Sequence, residues 1–226
     1  MHVGKEIRLA RLLNPKSKRL LGITMDHPIT RGVLPGLENI RETLKNVVAG
    51  RPDSITLQKG IAQNFFEPHA GKVALILKSS AYNTAYHPSY DTPVADVEEA
   101  IRMGADAISI GVIVGGPEQT EQLTQLGRIS KEALAAGMPL VAHIYPKGTM
   151  VKDPNRAEDL AYAVRVGAEL GVDIIKTLWS GSAETFQKVI EACPTRVCLA
   201  GGAGGNSLND YFQMTRDALD IGLAGV

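Results

Sequence analysis

The sequence predicts an α/β protein built as a (β/α)8 TIM barrel, a single domain over residues 1–226. Three observations carry this reading. Apolar runs of strand length alternate with stretches of helix length along the whole chain. Several of those runs are apolar at every position, as in parallel strands covered on both faces. Short turns marked by glycine separate the units. A doubly wound open sheet shares these features, but seven βα units with an eighth begun favour the barrel.

The elements follow in order. Gly4 to Leu13 places Ile7, Leu9, Ala10, Leu12 and Leu13 on a short helix expected to cap the bottom of the barrel. Leu20 to Met25 is the first strand, followed by a helix from Leu37 to Val48. Ser54 to Leu57 is the second strand and Val73 to Leu77 the third. The helix from Val94 to Met103 has Asp96, Glu98 and Glu99 in its first half, where the helix dipole favours carboxylates, and Gly104 stops it. Ala107 to Ile110 is the fourth strand, and a long helix then runs from about Glu118 to Ala136 and stops at Gly137. Pro139 to Ile144 is the fifth strand, with a helix from Arg156 to Leu170. Val172 to Trp179 holds the sixth, with a helix from Ala183 to Ala192. Arg196 to Ala200 is the seventh, with a helix from Leu208 to Leu219. Gly222 to Val226 reads as the start of an eighth strand, so most of the eighth βα unit is expected to lie beyond Val226.

Charge narrows the function classes. There are 24 Lys and Arg against 24 Asp and Glu, without long runs of one sign. That balance argues against a nucleic-acid groove or a polybasic membrane patch and points to small metabolites as partners. Two cysteines, Cys193 and Cys198, are too few for a disulfide framework. No secretory segment or bilayer-length apolar run is visible, so a soluble, cytoplasmic protein is expected.

In a barrel of this class, catalytic side chains gather at the C-terminal ends of the strands. Those ends carry Asp26-His27, Gln58-Lys59-Gly60, Lys78, Tyr145-Pro146-Lys147, Lys176 and the run Gly201 to Asn206. Lys176 closes an apolar run, where an ammonium is costly unless it is paired or neutralised. It can snorkel to water. Alternatively, alternation sets it on the same face as Ile174, and if that face is the barrel interior, nearby cations such as Lys147 or Lys59 lower its pKa. A neutral amine there attacks a ketone to form a Schiff base, whose iminium draws electrons from a neighbouring C–C bond. Tyr145 is either a packing residue with a wet hydroxyl or an acid/base near the substrate. Asp26 either caps a loop or balances the iminium. The glycine run is either a loop that needs positive φ or a set of backbone N–H groups that holds phosphate, ahead of a helix opened by Ser207 and Asp210. The five histidines show no ligand spacing and neither cysteine lies in a zinc pattern, so no metal or other cofactor is expected.

Taken together, Met25-Asp26-His27, Leu57-Gln58-Lys59-Gly60-Ile61, the stretch Val97 to Ala107, Tyr145-Pro146-Lys147-Gly148, the stretch Gly171 to Thr177 and Gly201-Gly202 resemble the class I aldolases of the archaeal fructose-bisphosphate aldolase type. The nearest likeness is to the related 2-amino-3,7-dideoxy-D-threo-hept-6-ulosonate synthases. The resemblance runs in order over essentially the whole chain. It implies Lys176 as the Schiff-base lysine, Tyr145 as the general acid/base and Asp26 as the partner carboxylate. His27, Lys59, Lys147, Gly201, Gly202, Gly204 and Gly205 are then the groups expected to bind the phosphorylated substrate. Members are often decamers built from pentamers, which implies a homo-oligomer. Three departures stand out. Pro28 follows the Asp-His pair where the family usually has glycine, Lys147 stands where arginine is common, and Ala203-Gly204 replaces a frequent proline and lysine. The second removes a bidentate fork from the expected phosphate region.

The leading expectation is a lyase that cleaves or forms a C–C bond of a phosphorylated ketose such as fructose 1,6-bisphosphate. Transaldolase-type synthesis of an amino-sugar acid by the same iminium is the alternative. A thiolase-like acyltransferase acting on phosphorylated autoinducer-2 is opposed by Ala203-Gly204. A non-enzymatic phosphosugar-binding barrel has no need of Lys176, Tyr145 and Asp26 together.

Overall fold

The computed structural model describes residues 2–81, 92–201 and 207–226. They fall into two compact units, Met1–Gly111 with Lys131–Leu140, and Val112–Ser130 with Val141–Val226.

The first unit opens with helix α1, Val3–Leu12, which buries Leu9 and Leu12. Arg8 of this helix donates to the Gly137 carbonyl at 3.0 Å, and Arg11 pairs with Asp106 at 3.2 Å. Asp106 immediately precedes a strand, so α1 lies at the N-terminal ends of the strands of its unit, as the sequence leads one to expect. Strand β1, Gly22–Thr24, leads into a short helix α2, His27–Arg31, and then helix α3, Ile40–Ala49. Strand β2, Ser54–Gln58, runs directly into helix α4, Lys59–Phe65, and a 3-10 turn follows at Glu67–His69. Strand β3 is Ala74–Lys78. A small antiparallel ribbon pairs β4, Ser80–Ala81, with β5, Thr92–Pro93. Helix α5, Val97–Arg102, is capped by Asp96, whose side chain accepts from the Glu99 N–H. Strand β6, Ala107–Val114, begins in this unit, and helix α6 is Gln119–Ala136.

Strands β1, β2, β3 and β6 pair in parallel in that order. Register aligns Gly22 with Ser54, Gln58 with Lys78, and Lys78 with Ser109. Since alternate residues share a face, Thr24, Ser54, Thr56, Gln58, Lys78 and Ser109 lie on one face of this sheet. Ile55, Leu57, Leu75, Leu77, Ile108 and Ile110 lie on the other, each of them buried. Ala74, Ile76 and Ala107 share the first face and are also buried, so β3 is apolar on both faces up to Lys78, as expected, whereas β2 carries polar residues on one face.

The second unit carries the end of β6, the first part of α6, strand β7, Leu140–Pro146, from Val141 on, helix α7, Ala157–Glu169, strand β8, Ile174–Thr177, helix α8, Ala183–Glu191, strand β9, Arg196–Leu199, and helix α9, Leu208–Asp220. β7, β8 and β9 are parallel, with Val141 opposite Ile174 and Ile174 opposite Arg196. Beyond α9, Gly225 bridges Cys198 in parallel, the Ala224 N–H donates to Val197, and the Leu199 N–H donates to Gly225. The segment read as the start of an eighth strand therefore lies beside the seventh. Ser207 caps α9, accepting from the Asp210 N–H at 3.2 Å.

Several elements depart from expectation. α2 and α4 are helices that the sequence does not announce, because five and seven residues are too few to display a helical period. Pro28 suits α2, where it stands in the first turn. β6 continues through Gly111 to Val114, where the Gly111 N–H donates to the Ser80 hydroxyl at 2.9 Å. The helix stops at Gly104 and Gly137 stand as expected, both with positive φ, 69° and 61°.

Candidate active site

One contact settles which way Lys176 faces. A Cβ on Gly167 of α7 would meet the Ile144 Cδ1 at 2.5 Å and the Ile175 Cδ1 at 2.8 Å. Helix α7 thus sits on the face of β7 and β8 that carries Ile144 and Ile175. Their alternating neighbours His143, Tyr145, Ile174 and Lys176 lie on the opposite face, away from α7. Register then aligns His143 with Lys176 and Lys176 with Cys198 across β7, β8 and β9. Adjacent parallel strands lie about 4.8 Å apart, so these three residues form one row with Lys176 in the middle. Tyr145 is two residues beyond His143, about 7 Å further along the strand, within joint reach of a phenol and a lysine side chain.

The row is mostly dry. His143 and Cys198 are 7% and 3% exposed, and Lys176 and Tyr145 are half-buried. Burial pushes the Cys198 thiol up to about 12, against the opposing effect of the Lys176 charge and then of Arg196. Cys198 is therefore a neutral thiol at physiological pH. Both cysteines are free and buried.

The segment after β8 is held firmly. Thr177 donates its hydroxyl to the Ile144 carbonyl at 2.9 Å, tying β8 to β7 just past the lysine. Trp179 stacks on Phe186 with centroids 4.9 Å apart, and Phe186 is fully buried in α8. Ser180, Ser182 and Thr185 share hydroxyl hydrogen bonds at the start of α8.

Lys147 lies in the turn after β7 with its side chain exposed, and its N–H donates to the Val114 carbonyl at 2.8 Å. That turn packs on the one after β6. A Cβ on Gly148 would stand 2.4 Å from the Gly116 Cα, so only glycine fits there. Gly201 is exposed after β9, and a Cβ on it would meet the Tyr211 hydroxyl at 2.9 Å. Gly202, Gly204 and Gly205 lie outside the described residues.

The other expected site residues belong to the first unit. Asp26 precedes α2 and is partly buried, and its side chain makes no capping hydrogen bond. His27 opens α2 and is partly buried. Lys59 is the first residue of α4, and its ammonium pairs with Glu99 of α5 at 2.9 Å, lining a groove with Gln63, Arg102 and Asp106.

Three residues of interest escape assignment from sequence. His143 can be found by stepping back two residues from Tyr145. Cys198 becomes a neighbour of Lys176 only through strand register. Lys78, at the end of β3, is 5% exposed beside the fully buried Ser109, whose hydroxyl has no hydrogen-bond partner among the described residues.

The chain resembles known proteins over nearly its whole length. The chain is 38% identical over 224 residues to 2-amino-3,7-dideoxy-D-threo-hept-6-ulosonate synthase of Halobacterium salinarum, covering 99% of this chain and 83% of that protein. A Schiff-base-forming fructose-1,6-bisphosphate aldolase matches in structure with a TM-score of 0.89 and 26% identity, over 98% of this chain and 90% of the other. An archaeal fructose-1,6-bisphosphate aldolase whose catalytic lysine is covalently bound to the carbinolamine intermediate matches with a TM-score of 0.87 and 25% identity, over 98% and 89%. These likenesses bear out the barrel fold class expected from the sequence. The family model of the DeoC/LacD family aldolases matches residues 21–226, and the chain belongs to that family.

Proposed function

We propose that this protein makes and breaks a C–C bond of a phosphorylated ketose, such as fructose 1,6-bisphosphate, through a Schiff base on Lys176. The carrying observation is the placement of Lys176 on the sheet face opposite α7, flanked by His143 and Cys198 and followed by Tyr145. The neutral amine attacks the ketone carbon, forming a C–N bond while the carbonyl oxygen takes a proton. The resulting carbinolamine loses water to give the iminium. Electrons of the C–C bond beyond the adjacent carbon then flow into the iminium as Tyr145 accepts the proton of the hydroxyl that becomes the aldehyde. Hydrolysis of the enamine-derived iminium restores Lys176. Asp26 is assigned as the carboxylate partner, and His27, Lys147 and the loop from Gly201 as substrate and phosphate contacts, on the strength of the family resemblance. Lys59 joins them only by exchanging Glu99 for phosphate, and an exposed pair of this kind is worth about 0–1 kcal/mol.

The 38% identical relative supports a second reading within the same chemistry. Here the enamine is passed to an aldehyde bearing an amino-acid group, giving a seven-carbon 2-amino ulosonate. The same resemblance supports a cytoplasmic homo-oligomer, up to a decamer. Among the described residues, no helix is long and apolar enough to cross a membrane.

The deciding experiment is mass spectrometry of protein reduced with borohydride in the presence of candidate phosphoketoses, with and without aldehyde acceptors. An adduct on Lys176 is expected, and the ketose that gives it names the donor. Turnover that requires added coenzyme A, with no borohydride-stable adduct, would replace the aldolase reading by acyl transfer.

A further inference from the structure

Schiff-base chemistry at Lys176 has an unmet requirement. A lysine is ordinarily protonated at neutral pH, and an ammonium has no electron pair with which to attack a ketone. A neighbouring group has to take that proton.

Resting on the aldolase reading above, we propose that His143 is the base that accepts the ammonium proton of Lys176 and thereby frees the amine for attack. His143 is opposite Lys176 in the β7–β8 register and on the same sheet face, opposite α7. At 7% exposure it stands where water does not readily substitute for it. Titratable and charged groups on its face are Lys176 from β8, Cys198 and Arg196 from β9, and Tyr145 further along its own strand. Cys198, the other flank of Lys176, is a neutral thiol at physiological pH and accepts no proton there. A neutral phenol such as Tyr145 is a poor base until it has lost its own proton. Imidazole is the one side chain in this row whose ordinary titration range straddles neutrality.

The proton count closes. His143 takes a proton from the ammonium, and the N–H electron pair stays on nitrogen and forms the new C–N bond. The π electrons move to the carbonyl oxygen, and proton transfer from nitrogen to oxygen gives the neutral carbinolamine. Tyr145 gives its phenol proton to the departing hydroxyl, which leaves as water, so ammonium plus ketone becomes iminium plus water with a phenolate and an imidazolium beside it. The phenolate then accepts the substrate hydroxyl proton as the C–C bond breaks, and the imidazolium proton goes to the enamine carbon, so both groups end neutral. The histidine frees the lysine, and Tyr145 serves first as acid and then as base.

The test measures single-turnover trapping of the Lys176 adduct with a phosphoketose and borohydride in wild type, His143→Gln and His143→Ala, with thermal melts to establish folding. Glutamine keeps hydrogen bonding and size but takes up no proton near neutrality. The expected result is a trapping rate about 10²-fold lower in both variants, with KM little changed and added imidazole restoring part of the rate in His143→Ala. A His143→Gln variant as fast as wild type, or a His143→Ala variant that imidazole leaves unchanged, would overturn the assignment. If neither variant folds, the wild-type pH profile decides. Trapping that keeps its rate down to neutral pH and falls only at more acid pH supports the assignment, and an acid limb lying only above about 9, in the ordinary lysine range, overturns it. Wild type that traps no adduct would overturn the aldolase reading and this assignment together.

Discussion

The two units bury polar side chains on a sheet face, but they bury different kinds. In the first, the face shared by β2, β3 and β6 carries Ser54, Thr56, Gln58, Lys78 and Ser109, mostly hydroxyls. The Ser54 and Ser109 hydroxyls have no hydrogen-bond partner among the described residues. In the second, the row across β7, β8 and β9 is His143, Lys176 and Cys198, with Tyr145 beyond it. Polarity alone therefore does not single out either face. What distinguishes the second unit is that the lysine proposed as nucleophile stands between an imidazole and a thiol, with the turn beyond it pinned by Trp179 on Phe186.

The sharpest way to break that comparison is Lys176→Ala. Removing a covalent nucleophile costs on the order of 10⁶-fold in turnover, and no borohydride adduct should form. Near-normal turnover by steady-state assay would mean that the second face is as passive as the first. Next in size is Tyr145→Phe, expected to slow turnover about 10²–10⁴-fold while the Lys176 adduct still forms. Equal loss of adduct and turnover would confine Tyr145 to iminium formation and remove it from the C–C bond step.

Gly167→Ala tests the contact that orients the row. Its Cβ would press on the tips of Ile144 and Ile175. Overpacking of this kind costs about 1–3 kcal/mol, read as a lower midpoint in denaturant unfolding. Unchanged stability would show that α7 is not seated closely enough to decide the facing of Lys176. The smallest effect is expected in the first unit. Ser109→Ala removes a buried hydroxyl that lacks a partner among the described residues, so stability should stay level or rise by about 1 kcal/mol. A clear loss of stability would reveal a hydrogen bond that Ser109 makes in solution, bringing the first face closer in character to the second.

Much of this is legible in the residues. The seven strand-length runs, the stops at Gly104 and Gly137, the caps at Asp96 and Ser207 and the strand-end position of Lys176 follow from local chemistry. Apolar period, missing Cβ atoms and short side-chain acceptors act within a few residues, so they can be read in order along the chain. Elements below that length scale, α2, α4 and the β4–β5 ribbon, leave no periodic trace.

Alternation alone places Ile174 and Lys176 together but leaves open which face they share. A strand has two equivalent faces until something packs on one of them. That choice belongs to α7, where Gly167 lets the helix settle on Ile144 and Ile175. Register likewise makes His143 and Cys198 the neighbours of Lys176 from 33 and 22 residues away. The same holds for Lys59, in sequence a strand-end cation, which the packing of α4 and α5 delivers to Glu99, forty residues on. Chain chemistry thus determined which groups stand at the strand ends, and only the tertiary structure decided their faces and partners, because facing and pairing depend on contacts between residues far apart in sequence.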